Sequence, residues 1–458
     1  MNVLIVVYGR ENEIENAQSI KKSLENDHDV LLATVIKHEH ISSESLLEFH
    51  DYEEKPEYSK FFYYFFQDRF INDMSELDAY VAIDTNIEEI WDAFYRMVSF
   101  ALRVLNKFKP DIIYCGAPDN YFSNLFISFA EEKSIKYFWL EKSYHINGYT
   151  FFSKRGYSND IFQKEIIYKP NKCENPENLF VKDVYNNGII SFKEKDIAKR
   201  IIENLEYIMK NHIFSNLSKK DRLLIPYYSE YHLNFMNKIK RMFNRISYKI
   251  FIKHKEITID ELKRCSAKYK FVLFALHYQP EAATLSLQPL YNDQYYLLKL
   301  IGDLLPPKYI LLVKEHPLQD IGLRKRNFYK SIVNKRNVFI INKNTQTSKL
   351  IEELNIEKLI TIGGTVGFEQ ILRRNPPLVF SDIYYSNFKY CFHGEFKSSK
   401  ELLSKLLGYL DFSYKDVEEE YEKSLKEFLY KYEKSLVKIE DIDKAIKFVI
   451  ENMRNYWI

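Results

Sequence analysis

Glycine and cysteine are both scarce in this sequence. Only 12 of the 458 residues are glycines, so a local cluster of them carries more information than usual, and three fall within positions 363–367. The four cysteines lie far apart and include no Cys-X-X-Cys pair. This spacing predicts neither a zinc site nor a disulfide framework, and it indicates a reducing compartment.

Long hydrophobic runs are missing as well. The N-terminal segment 1–13 turns polar after seven residues, which is too short for a signal peptide. No apolar run reaches the roughly 18–20 residues that are needed to cross a bilayer. We therefore expect a cytoplasmic protein that is soluble, or at most peripheral on the inner face of the membrane.

An excess of charge of one sign is absent too, since the formal net charge is +2. A balance this close to neutrality gives no support for nucleic acid as the main partner. What the sequence does have is length and apolar content. A chain of 458 residues with 46% hydrophobic residues can form two domains, each with its own core.

The chain opens with alternating strand and helix patterns. A strand at 2–8, a helix at 13–25 and a strand at 29–36 are the usual start of a doubly wound parallel sheet. Further apolar runs predict strands at 110–116 and 136–142. These patterns predict a first Rossmann-like domain, which we assign to residues 1–190.

The alternation resumes near residue 269. Predicted strands, separated by helical patterns, cover 270–276, 308–314, 337–342, 358–363 and 377–381. Short loops between alternating strands and helices predict a second parallel sheet, so we assign a second Rossmann-like domain to residues 266–395. A helical linker or insertion is predicted at 191–265, and C-terminal helices at 396–458.

The segment 235–255 is rich in both apolar and basic residues. Its apolar residues at helical spacing are Phe235, Ile239, Met242, Phe243, Ile246 and Ile250, and its cations are Lys238, Lys240, Arg241, Arg245, Lys249, Lys253 and Lys255. One interpretation is a helix that packs one face on a domain and exposes the other to water. The other is a surface that docks on anionic lipid at the inner membrane.

Three polar loops each follow a strand of the second predicted sheet. They are His277–Glu281 (HYQPE), Lys314–Pro317 (KEHP) and Gly363–Gly367 (GGTVG). In open parallel sheets, ligands bind in the crevice outside the carboxyl ends of the strands. We therefore expect the three loops to contribute to one binding site.

The glycine loop suits an anion. Gly363, Gly364 and Gly367 let the backbone approach a ligand, and the helix that follows presents free N–H groups. Thr365 adds a hydroxyl donor. An ordinary tight turn with a threonine cap accounts for the same residues, although a capping box would need Glu or Gln at position 368. Glu369, one position later, is expected to accept hydrogen bonds from ribose hydroxyls.

His316 follows a buried strand and precedes Pro317, which fixes the turn. A histidine at this position can donate a hydrogen bond to a phosphate oxygen or protonate a leaving group. Lys314 adds positive charge two residues earlier. A structural histidine that is bonded to backbone is the alternative for an isolated residue, but the glycine loop on the same sheet favours a ligand contact.

The remaining polar residues of the first loop are His277, Gln279 and Glu281. The charge of Glu281 is explained by its position at a helix start after Pro280, where the helix dipole favours acids. That explanation leaves His277 and Gln279 unaccounted for. All three are expected to line the cleft that faces the first domain.

The first domain is expected to supply the remaining chemistry. Asp119 follows the predicted strand 110–116, and Glu141 follows the apolar run KYFWL near the end of the strand 136–142. A carboxylate at the end of a strand can act as a general base or a nucleophile. His145 lies four residues beyond Glu141. A helix cap or a surface charge is the better explanation of Asp119 and His145, so Glu141 is the preferred candidate.

Six segments carry a further signal: LHYQPEAAT, YNDQ (291–294), LLVKEHP, GLR (322–324), TIGGTVGFEQIL and PLVFSDIYY. Together they resemble the capsule polysaccharide biosynthesis family, which includes bacterial transferases that add Kdo, a 3-deoxy-octulosonic acid, to capsule lipid anchors. The resemblance covers residues 269–385 well and the N-terminal half only loosely. Tyr384, in the last of these segments, joins His277 and His145 as a candidate cleft residue.

The resemblance implies a GT-B glycosyltransferase of surface or capsular polysaccharide synthesis that takes a CMP-activated, acidic, Kdo- or sialic-acid-like sugar. By this likeness His316-Pro317 and Gly364-Thr365 hold the nucleotide phosphate, and Gln279-Pro280-Glu281 belongs to the active cleft. Glu141 is the best match to the family's catalytic acid. Ser143 and Tyr144 follow it where relatives tend to have glycine and proline, so retaining and inverting chemistry both stay open.

The resemblance also implies that the donor lies in the second domain and the acceptor, a glycan or glycolipid, mainly in the first. A CMP-sugar carries a single phosphate, so one histidine and a helix N-terminus can hold it without a metal, and no further cofactor is expected. Two other functions remain open. One is a UDP-sugar transferase or a nucleotide-sugar epimerase of the same fold, and the other is a non-catalytic assembly factor that binds glycan or partner proteins.

Overall fold

The structure is a computed structural model of the chain. It describes residues 1–8, 11–36, 43–50, 87–116, 121–142, 149–153, 224, 243–250, 252–279, 291, 293–317, 319, 321–324, 328–333, 335–381, 383–438 and 442–451. The predicted α/β fold class is confirmed, since these residues form two separate sheets whose strands are largely parallel and which carry helices on their faces.

The first sheet has seven strands in the order β13-β6-β5-β4-β1-β2-β3. Its strands are β1 (Asn2–Val7), β2 (Asp29–Thr34), β3 (Glu44–Ser45), β4 (Ile112–Cys115), β5 (Lys136–Lys142), β6 (Tyr149–Ser153) and β13 (Leu436–Lys438). The pairs from β5 to β3 are parallel, whereas β6 and β13 add antiparallel at one edge. A βαβ opening therefore forms as the sequence pattern predicts.

Both faces of the first sheet are covered. Leu4 and Val6 of β1 point into the core beneath helices α2 (Ile87–Phe108) and α3 (Tyr121–Glu132). Val3, Ile5 and Val7 point the opposite way, toward helices α1 (Glu11–Leu24) and α12 (Ile442–Glu451). A strand that is buried on both faces must be apolar at every position, which is why NVLIVV shows a continuous run rather than alternation.

The second sheet has six strands, all parallel, in the order β12-β11-β10-β7-β8-β9. Its strands are β7 (Lys270–Ala275), β8 (Tyr309–Lys314), β9 (Val338–Ile341), β10 (Lys358–Thr361), β11 (Leu378–Val379) and β12 (Phe392–His393). Its helices are α4 (243–250), α5 (Ile259–Cys265), α6 (Gln294–Leu304), α7 (Phe328–Val333), α8 (Thr347–Leu354), α9 (Val366–Leu372) and α10 (Ser399–Asp411). The central strand β7 is again buried on both faces, by different helices.

The C-terminal segment returns the chain to the first sheet. Helix α10 packs on the second core, and helix α11 (Glu418–Ser435) packs against α9 through Tyr421, Leu425 and Tyr432. Strand β13 then pairs with β6, and α12 packs on α1. Within the described ranges, no helix is long and apolar enough to cross a bilayer.

Candidate functional site

Three strand ends of the second sheet lie level with one another. Ala275 at the end of β7 is in register with Lys314 of β8 on one side and with Thr361 of β10 on the other. Neighbouring strands lie about 4.8 Å apart, so the ends of β8 and β10 are separated by roughly 10 Å. The loops that begin at 277, 315 and 363 therefore leave the sheet along a single edge, here called the rim.

His277 fastens the first loop to the glycine loop. Its Nε2 accepts a hydrogen bond from the backbone N–H of Gly363 at 2.9 Å and lies 3.4 Å from Thr361 Oγ1. The Thr361 hydroxyl in turn accepts from the N–H of Gly364 at 3.0 Å. Because Nε2 accepts, the neutral ring carries its proton on Nδ1. His277 is buried, so its imidazole holds the rim together from beneath.

The glycine loop packs too closely for side chains. A Cβ at Gly363 would overlap the hydroxyl of Ser381, and a Cβ at Gly367 would overlap the ring and hydroxyl of Tyr385. The Tyr385 hydroxyl donates to the carbonyl of Gly364 at 2.6 Å. These contacts explain the glycine cluster by close packing on Ser381 and Tyr385, in addition to any approach of a ligand.

Glu369 lies within the first turn of α9, directly behind the glycine loop. Thr365 at the N-cap makes no side-chain cap bond, in agreement with the missing capping box. The Glu369 carboxyl is half-buried, and it makes no hydrogen bond or ion pair with any residue that the structure describes. Burial raises its pKa to about 7, and the nearby Arg373 offsets this only in part.

The Lys314 ammonium turns inward at the end of β8. It donates to the carbonyls of Glu315 at 2.9 Å and Lys343 at 2.7 Å. Its side chain is almost fully buried, and desolvation lowers its pKa to about 8. Lys314 therefore links β8 to the turn after β9. Its positive charge lies buried beneath the rim rather than on the surface.

His316 and Pro317 are the more accessible residues of the second loop. The His316 ring is half-buried and makes an edge contact with Tyr278 of the first loop, with ring centroids 5.9 Å apart, and Pro317 is exposed. The backbone N–H of His316 donates to Glu315 Oε1 at 2.8 Å. His316 is thus the histidine that the rim presents outward, whereas His277 is used within it.

A buried ion pair beneath the rim was not predicted from the sequence. Arg324 and Glu315 are 2.6 Å apart with side chains only 1% and 2% exposed. Arg324 also donates to Gln279 Oε1 at 2.5 Å and to the carbonyl of His277 at 2.7 Å. The sequence did carry a signal, since both residues lie within the quoted LLVKEHP and GLR segments, but nothing in one sequence pairs them.

The structure brings most of the predicted donor-site residues to the rim. They are His277, Gln279, Lys314, His316, Pro317, Gly363, Gly364, Thr365, Gly367 and Glu369. Tyr384 lies elsewhere. It is only 2% exposed and packs against Phe368, Tyr385 and Tyr432 in the core between α9 and α11, because an apolar ring is held there by aromatic neighbours on every side.

Three of the predicted site residues fall outside the described residues: Asp119 and His145 of the first domain and Glu281 of the second. Glu141 is the sixth residue of β5 and pairs with Phe151 of β6, so it belongs to the strand itself rather than to the loop after it. In the described ranges, no cluster of His, Cys, Asp and Glu is arranged to hold a metal ion. A metal-independent site stays a prediction.

The chain resembles known proteins only weakly. No protein-family model matches the chain, and no curated protein matches it in sequence. Similar solved structures include UDP-GlcNAc 2-epimerase from Methanocaldococcus jannaschii (13% identity, TM-score 0.26, covering 90% of this chain and 94% of that chain), KpsC beta Kdo 2,4 transferase from Thermosulfurimonas dismutans (11%, 0.31, 88% and 90%) and trehalose-6-phosphate synthase OtsA (12%, 0.33, 98% and 98%).

Identities and TM-scores this low carry no conclusion about activity. The chain is placed in the two-domain, Rossmann-like α/β class, to which GT-B glycosyltransferases belong, on the strand order and register of its own two sheets.

Substitution of Gly367 by alanine tests the packing of the glycine loop. The new Cβ overlaps the buried Tyr385 ring, so we expect Gly367→Ala to lower the free energy of unfolding by about 1–3 kcal/mol. The matched control is Gly408→Ala in α10, where a Cβ meets nothing within 4 Å and alanine should add about 0.5–1 kcal/mol. Chemical denaturation measures both. Equal effects of the two substitutions would contradict this account of the loop.

Proposed function

We propose that the protein is a glycosyltransferase of surface or capsular polysaccharide synthesis. It transfers an acidic, Kdo- or sialic-acid-like sugar from a CMP-linked donor to a glycan or glycolipid acceptor. The capsule-family likeness of the 269–385 segment supports this choice of donor. The structural observation that carries the proposal is the half-buried carboxyl of Glu369, which has no partner among the described residues and lies on α9, the helix that follows the glycine loop of the rim.

Glu369 and His316 offer complementary chemistry. An ionised carboxylate accepts two hydroxyl hydrogen bonds, which suits the vicinal hydroxyls of a ribose, and charge-assisted bonds of this kind are about twice as strong as neutral ones. An imidazole N–H donates to a phosphate oxygen. His316 follows β8, and Glu369 lies on α9 after β10; these two strands are separated by one strand, or roughly 10 Å between strand ends. A nucleotide laid along the rim meets both groups.

The proposed reaction is a displacement at the anomeric carbon of the donor sugar. An acceptor hydroxyl forms the new C–O bond, its proton passes to a carboxylate of the first domain, and the bond from the anomeric carbon to the CMP oxygen breaks. Glu141 or Asp119 serves as that base, or as the nucleophile if configuration is retained. His316 stabilises the charge that develops on the departing phosphate, together with the Thr365 and Val366 amides, which donate no hydrogen bond to any described residue.

Binding of CMP should depend on pH through Glu369. The free carboxyl has a pKa of about 7, and hydroxyl donors from the ribose favour its ionised form, so binding releases a proton below that pH. The affinity of the wild type relative to Glu369→Gln should therefore rise by about tenfold from about pH 6 to about pH 8. The ratio cancels the titration of the CMP phosphate itself.

Isothermal titration calorimetry over this pH range measures the effect. Glu357→Gln is the matched control, because Glu357 is an exposed carboxylate beside the opposite end of β10 and should leave CMP affinity unchanged. A Glu369→Gln variant that binds CMP with the affinity and pH profile of the wild type would contradict the ribose role of Glu369.

We also propose that the segment 235–255 contacts the inner face of the membrane. Three of the seven large hydrophobic side chains that are exposed among the described residues lie on α4, namely Phe243 (60%), Ile246 (42%) and Ile250 (57%). The opposite face of α4 is packed, since the Tyr248 ring meets that of Tyr329 at 4.7 Å. The exposure of an apolar strip to water costs free energy. The strip would be buried if α4 lay at the boundary between the headgroups and the acyl chains of a bilayer.

The charges around this strip match an anionic surface. The segment 235–255 contains seven cations and no acidic residue. Four of the cations, Arg245, Lys249, Lys253 and Lys255, are exposed on or just after α4. Each basic residue near an anionic membrane contributes about 1 kcal/mol of attraction, so the cations and the apolar strip act together.

Vesicle co-sedimentation tests the membrane contact. The wild type should bind phosphatidylglycerol-containing vesicles and not pure phosphatidylcholine, and the triple variant Phe243→Ser/Ile246→Ser/Ile250→Ser should bind at least about tenfold more weakly. Tyr296→Ser/Leu407→Ser is the control, because it removes exposed apolar side chains elsewhere. Equal binding of the triple variant, or self-association through this helix without vesicle binding, would contradict the proposal.

A further inference from the structure

Arg324 contacts two of the three rim loops at once. It donates to both carboxylate oxygens of Glu315, at 3.0 Å from Nε and 2.6 Å from Nη2, and to Gln279 and the His277 carbonyl in the first loop. Its guanidinium carbon also lies 5.0 Å from the centre of the Phe328 ring. A planar guanidinium with five N–H groups in fixed directions sets the relative position of everything that it bonds.

Glu315 links Arg324 to His316, the histidine that is proposed to bind the donor phosphate. Its Oε1 accepts from Arg324 and from the backbone N–H of His316, and its Oε2 accepts from Arg324 and from the Tyr329 hydroxyl at 2.5 Å. The backbone N–H of His316 is thus hydrogen-bonded directly to the carboxylate that Arg324 orients. A shift of Arg324 moves His316 through one intervening side chain.

Neighbouring bonds anchor Arg324 and the first loop. The Gln319 side chain bonds both the N–H and the carbonyl of Gln279, at 2.7 and 2.9 Å. Asn244 of α4 donates to the carbonyl of Gly322 at 3.0 Å, beside Arg324. The turn that carries Arg324 is therefore held from two sides.

The charges of Arg324 and Glu315 are too deeply buried to contact a ligand. Both side chains are essentially inaccessible, and each charge is compensated by the other at 2.6 Å. A buried ion pair contributes little net stability compared with apolar residues of the same size, although the loss of one partner alone is strongly destabilising. Its hydrogen bonds to Gln279, His277 and His316 all lead to the rim.

We propose that Arg324 is a positioning residue that, through Glu315, sets His316 against the first loop for binding the donor phosphate. This inference rests on the proposed nucleotide site, and it assigns Arg324 and Glu315 a role in that site without contact with the nucleotide. Lysine cannot replace arginine here, because an ammonium cannot reach both Glu315 oxygens, Gln279 and the His277 carbonyl together.

The test compares Arg324→Lys with a matched ion pair away from the rim. Arg374 bonds both oxygens of Glu422, at 2.8 and 3.0 Å, beyond the far end of α9. This pair is partly exposed, so Arg374→Lys removes the same two-bond geometry away from the rim. CMP binding is measured by calorimetry on variants that melt cooperatively. We expect Arg324→Lys to weaken CMP binding by about tenfold or more, and Arg374→Lys to leave it unchanged.

A second variant separates positioning from stability. In Glu315→Gln/Arg324→Met both charges are removed together, so no unpaired ion is left buried and the fold is retained more readily than in a single substitution. This double variant should still bind CMP about tenfold more weakly than the wild type. A folded double variant, or a folded Arg324→Lys, with wild-type CMP affinity would overturn the proposal, as would an equal loss in Arg374→Lys.

A spectroscopic readout keeps the inference independent of the nucleotide. In protein labelled with 15N at histidine, the backbone amide signal of His316, assigned from a His316→Asn spectrum, should shift in Arg324→Lys and stay in place in Arg374→Lys. If the wild type binds no nucleotide, the proposed function fails, and this signal alone decides the positioning role. A shift then supports that role, and an unmoved signal overturns it.

Discussion

Ala275 lies level with Lys314 on one side and with Thr361 on the other, and this register brings three loops to a single edge of the second sheet. Parallel pairing makes the arrangement possible, because strands that run in the same direction end at the same edge. The bond from the Gly363 N–H to His277 Nε2 exists only because β7 and β10 are neighbours. A shift of either strand by one residue would separate the two loops.

Two carboxylates near this edge, those of Glu315 and Glu369, differ in burial and in hydrogen-bond partners, and this difference gives them different roles. Glu315 is fully buried and satisfied by Arg324, Tyr329 and the His316 amide, so it fixes geometry. Glu369 is half-buried and has no such partner in the part of the chain that the structure describes, and its pKa rises to about 7. The removal of Arg324 alone would leave Glu315 as a buried, unpaired charge at a cost of about 3–5 kcal/mol, whereas under the proposed function a ligand hydroxyl would supply the hydrogen bond that Glu369 lacks.

The sequence predicts the parts of this molecule that follow from local pattern. Apolar runs separated by helical periodicity identify the two sheets, and loops after successive parallel strands must converge, so the rim residues could be predicted before their contacts were known. Partners distant in sequence could not. Nothing local pairs Glu315 with Arg324 or sends β13 back to β6. Tyr384 and Tyr385 are adjacent, and only packing decides that the hydroxyl of Tyr385 reaches the glycine loop.

The central claim is that the rim binds a cytidine nucleotide, and the most direct measurement is the melting temperature of the protein with CMP, CDP, UMP, UDP and GDP in turn. A ligand that binds only the native state raises this temperature by mass action. The account predicts an increase with CMP or CDP and none with the others. An increase with UDP or GDP alone would contradict the cytidylyl donor, and no increase with any nucleotide would contradict the nucleotide site itself.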